Sequence, residues 1–595
     1  MTTPESGRHL LLEKMRSERP VLAISDLAVK AALNEIAATG VLPILEQITI
    51  AHLGRRRLLT VEGLWTGMLL CSAENRGQVR FDKVTDILHQ RIGAAWRARF
   101  GIPDRPDDDR GFEAGYAVVR RLLHKILKAL DPSPLPKNLR LPKEQAAQLL
   151  ADVDEHEAER RRSLLRTLSN SVLEGSVIRV RDLLAQHWDG SVSVDGTAVA
   201  TFAKGLRSTG LELATDPDAG WYVRDGDHRD DEGALDNLMR PDRKPESKDA
   251  PGRRKRRRKK YVFGYEATLV VARDTDPSRQ SSVFRPPALV LALTMDRPGR
   301  EPGKRATEAL ADAFLRRGYT RGGYIGPDRA YNNSDPGDFQ LPVRAMGLRP
   351  VFDYRLDQLG IAAGVHGAIQ IEGTWYSPAM PQPLIDATAD LLAGRIDKAT
   401  WKRRIKARAP YALVPKEHPD QEGFQRFLCP AAAGKLQCPI KPASLRRGHS
   451  IPLADPEPSP VGLPKICAQA SITIAPELGA KHAQSLPYGS DEWVRIYFTL
   501  RNSIESFNGY AKDDNYEAIE RGGRRRIRGM AAQMLLLAFQ LHHANTRKID
   551  AWLDTLPAGS ASRPRRRPPR RRENRPLSNW TPTGYMNDED LPQAA

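Results

Sequence analysis

Five residues near the C-terminus, Phe498, Arg501, Glu505, Asn508 and Lys512 in the run FTLRNSIESFNGYAK, have the types and spacing to do chemistry. On an α-helix, the positions three, seven, ten and fourteen residues after Phe498 all return to one face. Ile496, Leu500, Ile504, Phe507 and Ala511 fall on an adjacent apolar stripe at helical spacing. One stripe can pack into a core while the other presents a carboxylate with cations one turn before and two turns after. Such a carboxylate suits a metal ion beside a phosphate backbone, because the acid holds the metal and the bases hold phosphate oxygens. The alternative is a surface helix with solvated ion pairs.

The composition of the chain points to an acidic polymer. Its 595 residues leave room for several domains and a large core, and 92 Lys and Arg against 73 Asp and Glu give a net charge of +19. Two blocks concentrate the excess, RRKRRRKK at Arg253–Lys260 and RPRRRPPRRRENR at Arg563–Arg575, each read as an arm that neutralises phosphates without reading bases. The alternatives are a localisation tag or a solubilising tail. Four irregularly spaced cysteines, Cys71, Cys429, Cys438 and Cys467, argue against a disulfide framework and for a reducing cytoplasm. Cys429, Cys438 and Cys467, with His418 and His449 nearby, could hold a structural zinc, or remain buried free thiols. MTTPESGRHLLLEKMRSERP lacks the apolar segment of a signal peptide, and ALVLAL and MLLLAF are too short to span a membrane. A nucleic-acid-facing, nucleoid-associated protein of the cell interior is expected.

The elements that must position the helix divide the chain into five stretches. Residues 1–185 carry helical periodicity, as in SDLAVKAALNEIAA with its Ser/Asp cap, VEGLWTGMLLCSA, VTDILHQRIGAAWRARF and AGYAVVRRLLHKILKAL. They could grip DNA, although no helix-turn-helix signature stands out. In residues 186–355 the pattern changes. SVSVDGTAV is strand-like and ends at Asp195-Gly196, about sixty polar residues read as loop, and YVFGYEATLVVA and PALVLALTM are strands. KRATEALADAFLRRG is a helix stopped at Gly318, GGYIGPDRAY a strand ending at Asp328, FQLPVRAMG a helical piece interrupted by Pro342, and RPVFDY a last strand. That order predicts an α/β, ribonuclease-H-like mixed sheet, with three antiparallel strands followed by parallel strands joined by helices. Residues 356–490 read as an inserted subdomain, 491–555 as the acid-bearing helix and a second long helix (RRRIRGMAAQMLLLAFQLHHANTRKIDAWL), and 556–595 as a disordered Arg/Pro-rich tail.

In such a sheet the first and fourth strands are neighbours, so Asp195 and Asp328 converge and Glu505 lies across them. Three carboxylates in one pocket repel unless divalent cations sit between them, which implies Mg²⁺ or Mn²⁺. Taken singly, Asp195-Gly196 is a turn, Asp328 a loop cap and Glu505 a surface ion pair.

With VDGT around Asp195, GPDRAYN around Asp328 and Arg501-x3-Glu505-x6-Lys512, the chain resembles the DDE transposases of bacterial insertion sequences, in the branch with a Tyr-Arg-Glu-Lys signature. The likeness covers roughly residues 190–355 and 490–545. Phe498 stands at the tyrosine position, with Tyr497 one residue earlier. The resemblance implies that Asp195, Asp328 and Glu505 are catalytic and hold two Mg²⁺ or Mn²⁺ ions. It also implies that Arg501, Lys512, Asn508 and Arg329 contact DNA, that the insert helps order the DNA ends, and that two subunits cooperate on a pair of ends. The implied activity is cleavage at the ends of a mobile element and joining of the 3′-OH ends to target DNA. A nuclease without strand transfer and a non-catalytic DNA-binding derivative are the alternatives.

Overall fold

From Asp26 to His187 the described elements are helices, α1 (Asp26–Thr39), α2 (Val41–Thr49), α3 (Val61–Glu74), α4 (Phe81–Asp86), α5 (Ala94–Arg99), α6 (Asp109–Leu130), α7 (Lys143–Ala151), α8 (Glu155–Val177) and α9 (Arg181–His187), apart from the short extended pair Leu141–Pro142, which lies antiparallel to Glu212–Leu213. The computed structural model describes residues 22–50, 58–104, 108–207, 210–224, 260–315, 322–446, 450–454, 462–556, 580–581 and 584–585. Residues 253–259 of the first basic block, the whole of the second, and Gly318 lie outside these. Ser25 caps α1 as its sequence predicts, its hydroxyl accepting from the Ala28 N–H at 3.2 Å. The single periodic run VTDILHQRIGAAWRARF is divided between α4, a π turn at Ile87–Arg91, and α5, because Ile92 and Gly93 adopt extended backbone.

The mixed α/β core follows, with β1 (Val192–Ala200), β2 (Gly220–Arg224), β3 (Lys260–Ala272), β4 (Leu289–Asp296), α10 (Pro302–Leu315), β5 (Tyr324–Pro327), α11 (Gln340–Ala345) and β6 (Arg349–Pro350). The long β3 pairs antiparallel with β1, from Val192 opposite Ala272 to Ala200 opposite Gly264. Its other edge is shared, β2 covering Lys260–Gly264 and β4 covering Glu266–Ala272, both antiparallel. On the far side of β1 lie β5 and then β6, each parallel to its neighbour. Three antiparallel strands followed by two parallel ones match the expected directions.

Several details differ from the expectation. β1 does not end at Asp195-Gly196, because Thr197–Ala200 keep pairing with Gly264–Ala267. β2 is an added strand inside the stretch read as loop. Pro342 does not interrupt α11, since it sits in the first turn, where no intrahelical N–H bond is lost. RPVFDY pairs as a strand over Arg349–Pro350, after which the Val351 N–H donates to the Ile325 carbonyl at 2.9 Å.

The insert begins with β7 (Ile361–Val365), β8 (Ala368–Ile371) and β9 (Thr374–Tyr376), an antiparallel meander. It continues through α12 (Gln382–Ile385), α13 (Ala387–Leu392), α14 (Lys398–Ala407), β10 (Gln425–Leu428), α15 (Lys465–Ala468) and β11 (Ser471–Ile474). It has its own apolar cluster, which includes Ile371, Trp375, Tyr411 and Ile472. The chain returns to the core in α16 (Asp491–Ala511) and α17 (Met530–Leu553). RRRIRG, expected to start the last helix, stays outside it, because Gly529 has a φ of 98° and Arg525 turns into the core. In the expected disordered tail, Trp580–Thr581 pairs antiparallel with Gly584–Tyr585.

Residue 185 is not a packing boundary. Val29, Leu64, Leu123 and Leu168 of the N-terminal helices share one apolar cluster with Leu269 and Leu293 of the sheet and with Ile504, Phe507 and Leu535 of α16 and α17. At about 1.5–3 kcal/mol per fully buried aliphatic or aromatic side chain, this shared core binds the helical region to the sheet. A second cluster, with Val192, Val194, Leu291, Ala309, Ile325 and Phe339, covers the opposite face. No single described helix is long and apolar enough to cross a membrane. Together α1 and α2 reach that length, but they bend by 84° and bury Val29, Ile36 and Leu45 in the shared core.

Candidate active site

The acid-bearing helix, α16, is held by its own sequence. The Ser490 hydroxyl caps it by accepting from the Trp493 N–H at 3.2 Å, and Asp491 and Glu492 stand in the first turn, where the helix dipole favours anions. The predicted apolar stripe of Ile496, Leu500, Ile504, Phe507 and Ala511 is wholly buried. This packing needs a glycine on the strand beneath, because a Cβ at Gly326 of β5 would lie 2.7 Å from Leu500 Cβ. Gly326→Ala is expected to lift α16 from the sheet and cost about 1–3 kcal/mol. A thermal unfolding midpoint equal to wild type would show that the helix accommodates the methyl group.

Three elements bring the predicted acids together. Asp195 lies mid-strand on β1, on the side facing α16. Asp328 follows β5 and caps the short 3₁₀ turn Arg329–Asn333, accepting from the Arg329 N–H at 2.6 Å. Glu505 lies mid-helix on α16.

Their meeting point is Arg501. Its guanidinium nitrogens stand 3.6 Å from Asp195 Oδ2, 3.6 Å from Asp328 Oδ2 and 3.3 Å from Glu505 Oε1. The sequence assigns Arg501 to a DNA phosphate. The structure instead turns it inward, where the three carboxylates converge on its charge. Asn508, also assigned to DNA, is buried and donates from Nδ2 to Asp195 Oδ2 at 3.3 Å, while its Oδ1 is buried without a hydrogen-bond partner. Lys512 pairs with Glu520 at 2.9 Å. Arg329 reaches Asp353 at 3.9 Å.

Electrostatics separate these groups. The Asp195 side chain is 16% exposed, against 36% for Glu505. Burial first and then the Asp328 and Glu505 charges push the Asp195 carboxyl from 3.8 up to about 6, against the pull of Arg501 and Lys512. Burial works against the charge of Arg501, but Asp328 and Asp195 outweigh it and raise its pKa.

A carboxyl whose folded pKa is raised adds stability that is present below the unfolded pKa and is lost as pH rises through the folded one. In metal-free buffer, Asp195→Asn is therefore expected to gain in unfolding midpoint over wild type as pH rises from about 4 through about 6, and to hold the gain above that. A difference independent of pH across this window would contradict the burial of the charge.

One residue beside the site, Asp353, was passed over by sequence reasoning, and the position of Tyr497 is now clear. Asp353, just past β6, is fully buried; it accepts from Tyr488 Oη and faces Arg329. It closes the neck where the chain leaves for the insert and returns to α16. Its signal was present, an acid following a strand next to the one that ends before Asp328. Tyr497 is buried and stacks on Trp493 at 4.7 Å, while Phe498 packs edge-on against it at 5.3 Å.

The donor set has the chemistry of a hard divalent cation, since it offers three carboxylates and the unpaired amide oxygen of Asn508. Among the described residues no group of three or more His, Cys, Asp or Glu is spaced to hold a metal ion, and the guanidinium stands between the acids instead. The zinc candidates Cys429 and Cys438 are buried as free thiols in the core of the insert. Cys467 is half-buried beside them, its thiol pushed up by burial and then by the other two. His418 is exposed, and His449 lies outside the described residues. Comparison with protein families, curated proteins and solved structures finds no match to this chain.

Proposed function

We propose that this chain is a DNA transposase of the DDE type, with a ribonuclease-H-like core that cuts phosphodiesters at the ends of a mobile element and joins the 3′-OH ends to target DNA. The observation that carries the reading is the convergence of Asp195, Asp328 and Glu505 on one guanidinium from a central strand, the parallel strand beside it and a late helix. The order β4-β3-β1-β5-β6, with the first three antiparallel and the last two parallel, is the order that fold requires.

Asp195, Asp328 and Glu505 are the residues to hold two Mg²⁺ or Mn²⁺ ions. When bound, such ions activate a water or 3′-hydroxyl and stabilise the leaving oxygen. Asn508 orients the Asp195 carboxylate, and Arg501 balances the charge of the three acids. Lys512, at the C-terminal end of α16, is placed for a phosphate once it leaves Glu520. Lys512→Ala is expected to lower the slope of log affinity against log salt by about one, and an unchanged slope would remove that contact.

A second reading, a non-catalytic DNA-binding derivative, is favoured by the occupation of the acid cluster by Arg501. Purified protein with Mg²⁺ or Mn²⁺ and a plasmid carrying the gene's own flanking DNA separates the possibilities. Joined products indicate a transposase, cleavage without joining a nuclease, and metal-independent binding without cleavage the derivative.

A further inference from the structure

Beyond Ala200, the strand that carries Asp195 runs into a loop whose surface is both aromatic and cationic. Phe202 is 47% exposed, with the guanidinium carbons of Arg526 and Arg528 at 5.6 and 5.9 Å from its ring centroid. Neither arginine has a carboxylate within ion-pair distance among the described residues. Arg528 donates to Asn138 Oδ1 at 2.6 Å, and its Nε is buried without a hydrogen-bond partner.

The other side of the loop is formed by Trp221 on β2, 41% exposed, whose indole N–H donates to the Leu206 carbonyl at 2.8 Å. Between the two aromatic residues in sequence, Lys204 and Arg207 are exposed. The arrangement is fixed from inside by Arg525. Its side chain is 1% exposed and donates to the Ala200 carbonyl at 3.1 Å, the Ile519 carbonyl at 2.8 Å and Gln533 Oε1 at 3.1 Å. The arginine-rich connection between α16 and α17 is thereby pinned against the end of β1.

We propose that this surface binds a DNA strand whose bases are unpaired, the rings of Phe202 and Trp221 stacking on bases while Arg526, Arg528, Lys204 and Arg207 hold phosphates. The proposal rests on the DNA-cleaving function proposed above and goes further by naming where the strand lies and in what state. Charge selects a polyanion. The exposed rings select unpaired bases, because a duplex presents backbone and base edges, and only an unpaired base offers a flat face to remove an aromatic ring from water. At roughly 3.3 Å per strand residue, Phe202 lies ~20 Å from Asp195, a few nucleotides along an unpaired strand. A strand cut at the acid cluster would pass over the loop as it separates from its complement.

The test uses the full-length protein, a fluorescein-labelled duplex and the same duplex with a single-stranded overhang, followed by anisotropy at several salt concentrations. Phe202→Leu keeps apolar bulk but removes the aromatic face, and Trp221→Leu probes the site from the other side of the loop. Each is expected to weaken binding of the overhang substrate about ten-fold and leave the paired duplex within about two-fold. The Arg526→Ala/Arg528→Ala double variant should weaken both substrates and lower the salt slope by about one to two. Wild-type affinity for the overhang in both leucine variants overturns the inference, as does an equal loss on both substrates. A wild-type protein that binds neither DNA overturns the proposed function as well. One that binds and cuts, with leucine variants that match it, overturns the stacking site alone.

Discussion

Glu505→Gln is expected to abolish metal-dependent strand cleavage, a loss of at least about a thousand-fold, while DNA binding stays within about two-fold of wild type. The substitution removes one negative charge and keeps the shape of the side chain. Its neighbours tolerate it, since Arg501 keeps Asp195 and Asp328 as partners at 3.6 Å each. Glu505 is also more open to solvent than Asp195, so the fold depends on its charge less. Activity and stability should therefore separate, with cleavage lost and the unfolding midpoint nearly unchanged. Cutting that persists in the glutamine variant at the wild-type rate would take Glu505 out of the site. Asp328→Asn should lose cleavage to the same degree.

Arg501→Met is expected to have the largest effect on stability of any single change at the site. Three carboxylates that now share one guanidinium would be left facing each other, and Asp195 is nearly enclosed. Removing one partner of a fully buried ion pair costs about 3–5 kcal/mol. Here Asp328 and Glu505 reach solvent, which lowers the expected cost to about 2 kcal/mol. Divalent cation supplies a diagnostic readout, because a ligand that binds only the folded protein stabilises it by mass action. Mg²⁺ should raise the unfolding midpoint of Arg501→Met by more than that of wild type, where the guanidinium competes for the same oxygens. An equal response to Mg²⁺ in the two proteins would mean that the cation does not enter between these acids.

Much of this was legible along the chain. β-branched and aliphatic runs gave β3 and β4 to within two residues, and three- and four-residue apolar spacing gave the buried stripe of α16 residue for residue. The three acids were recognisable by their place relative to strands and helix. The splitting of VTDILHQRIGAAWRARF and the strand β2 were not, because each depends on partners distant in sequence. β2 exists because the N-terminal third of β3 leaves an edge that Gly220–Arg224 can cover. The helical region likewise read as a separate unit, since periodicity shows which face of a helix is apolar but not what covers it.

Residue types and spacing establish which residues carry charge, which lie on the inner stripe of α16, and that three carboxylates occur at strand and helix positions able to meet. Tertiary structure alone decided the destination of each cation. On the helix, Arg501, Asn508 and Lys512 form one face and look equally available to a phosphate. In the fold, Arg501 and Asn508 turn onto Asp195, and Lys512 turns to Glu520. The reason is electrostatic and depends on the environment. Packing α16 onto β1 and β5 removes water from the carboxylates, and a desolvated anion draws in the nearest cation and hydrogen-bond donor, whatever pattern they formed along the helix.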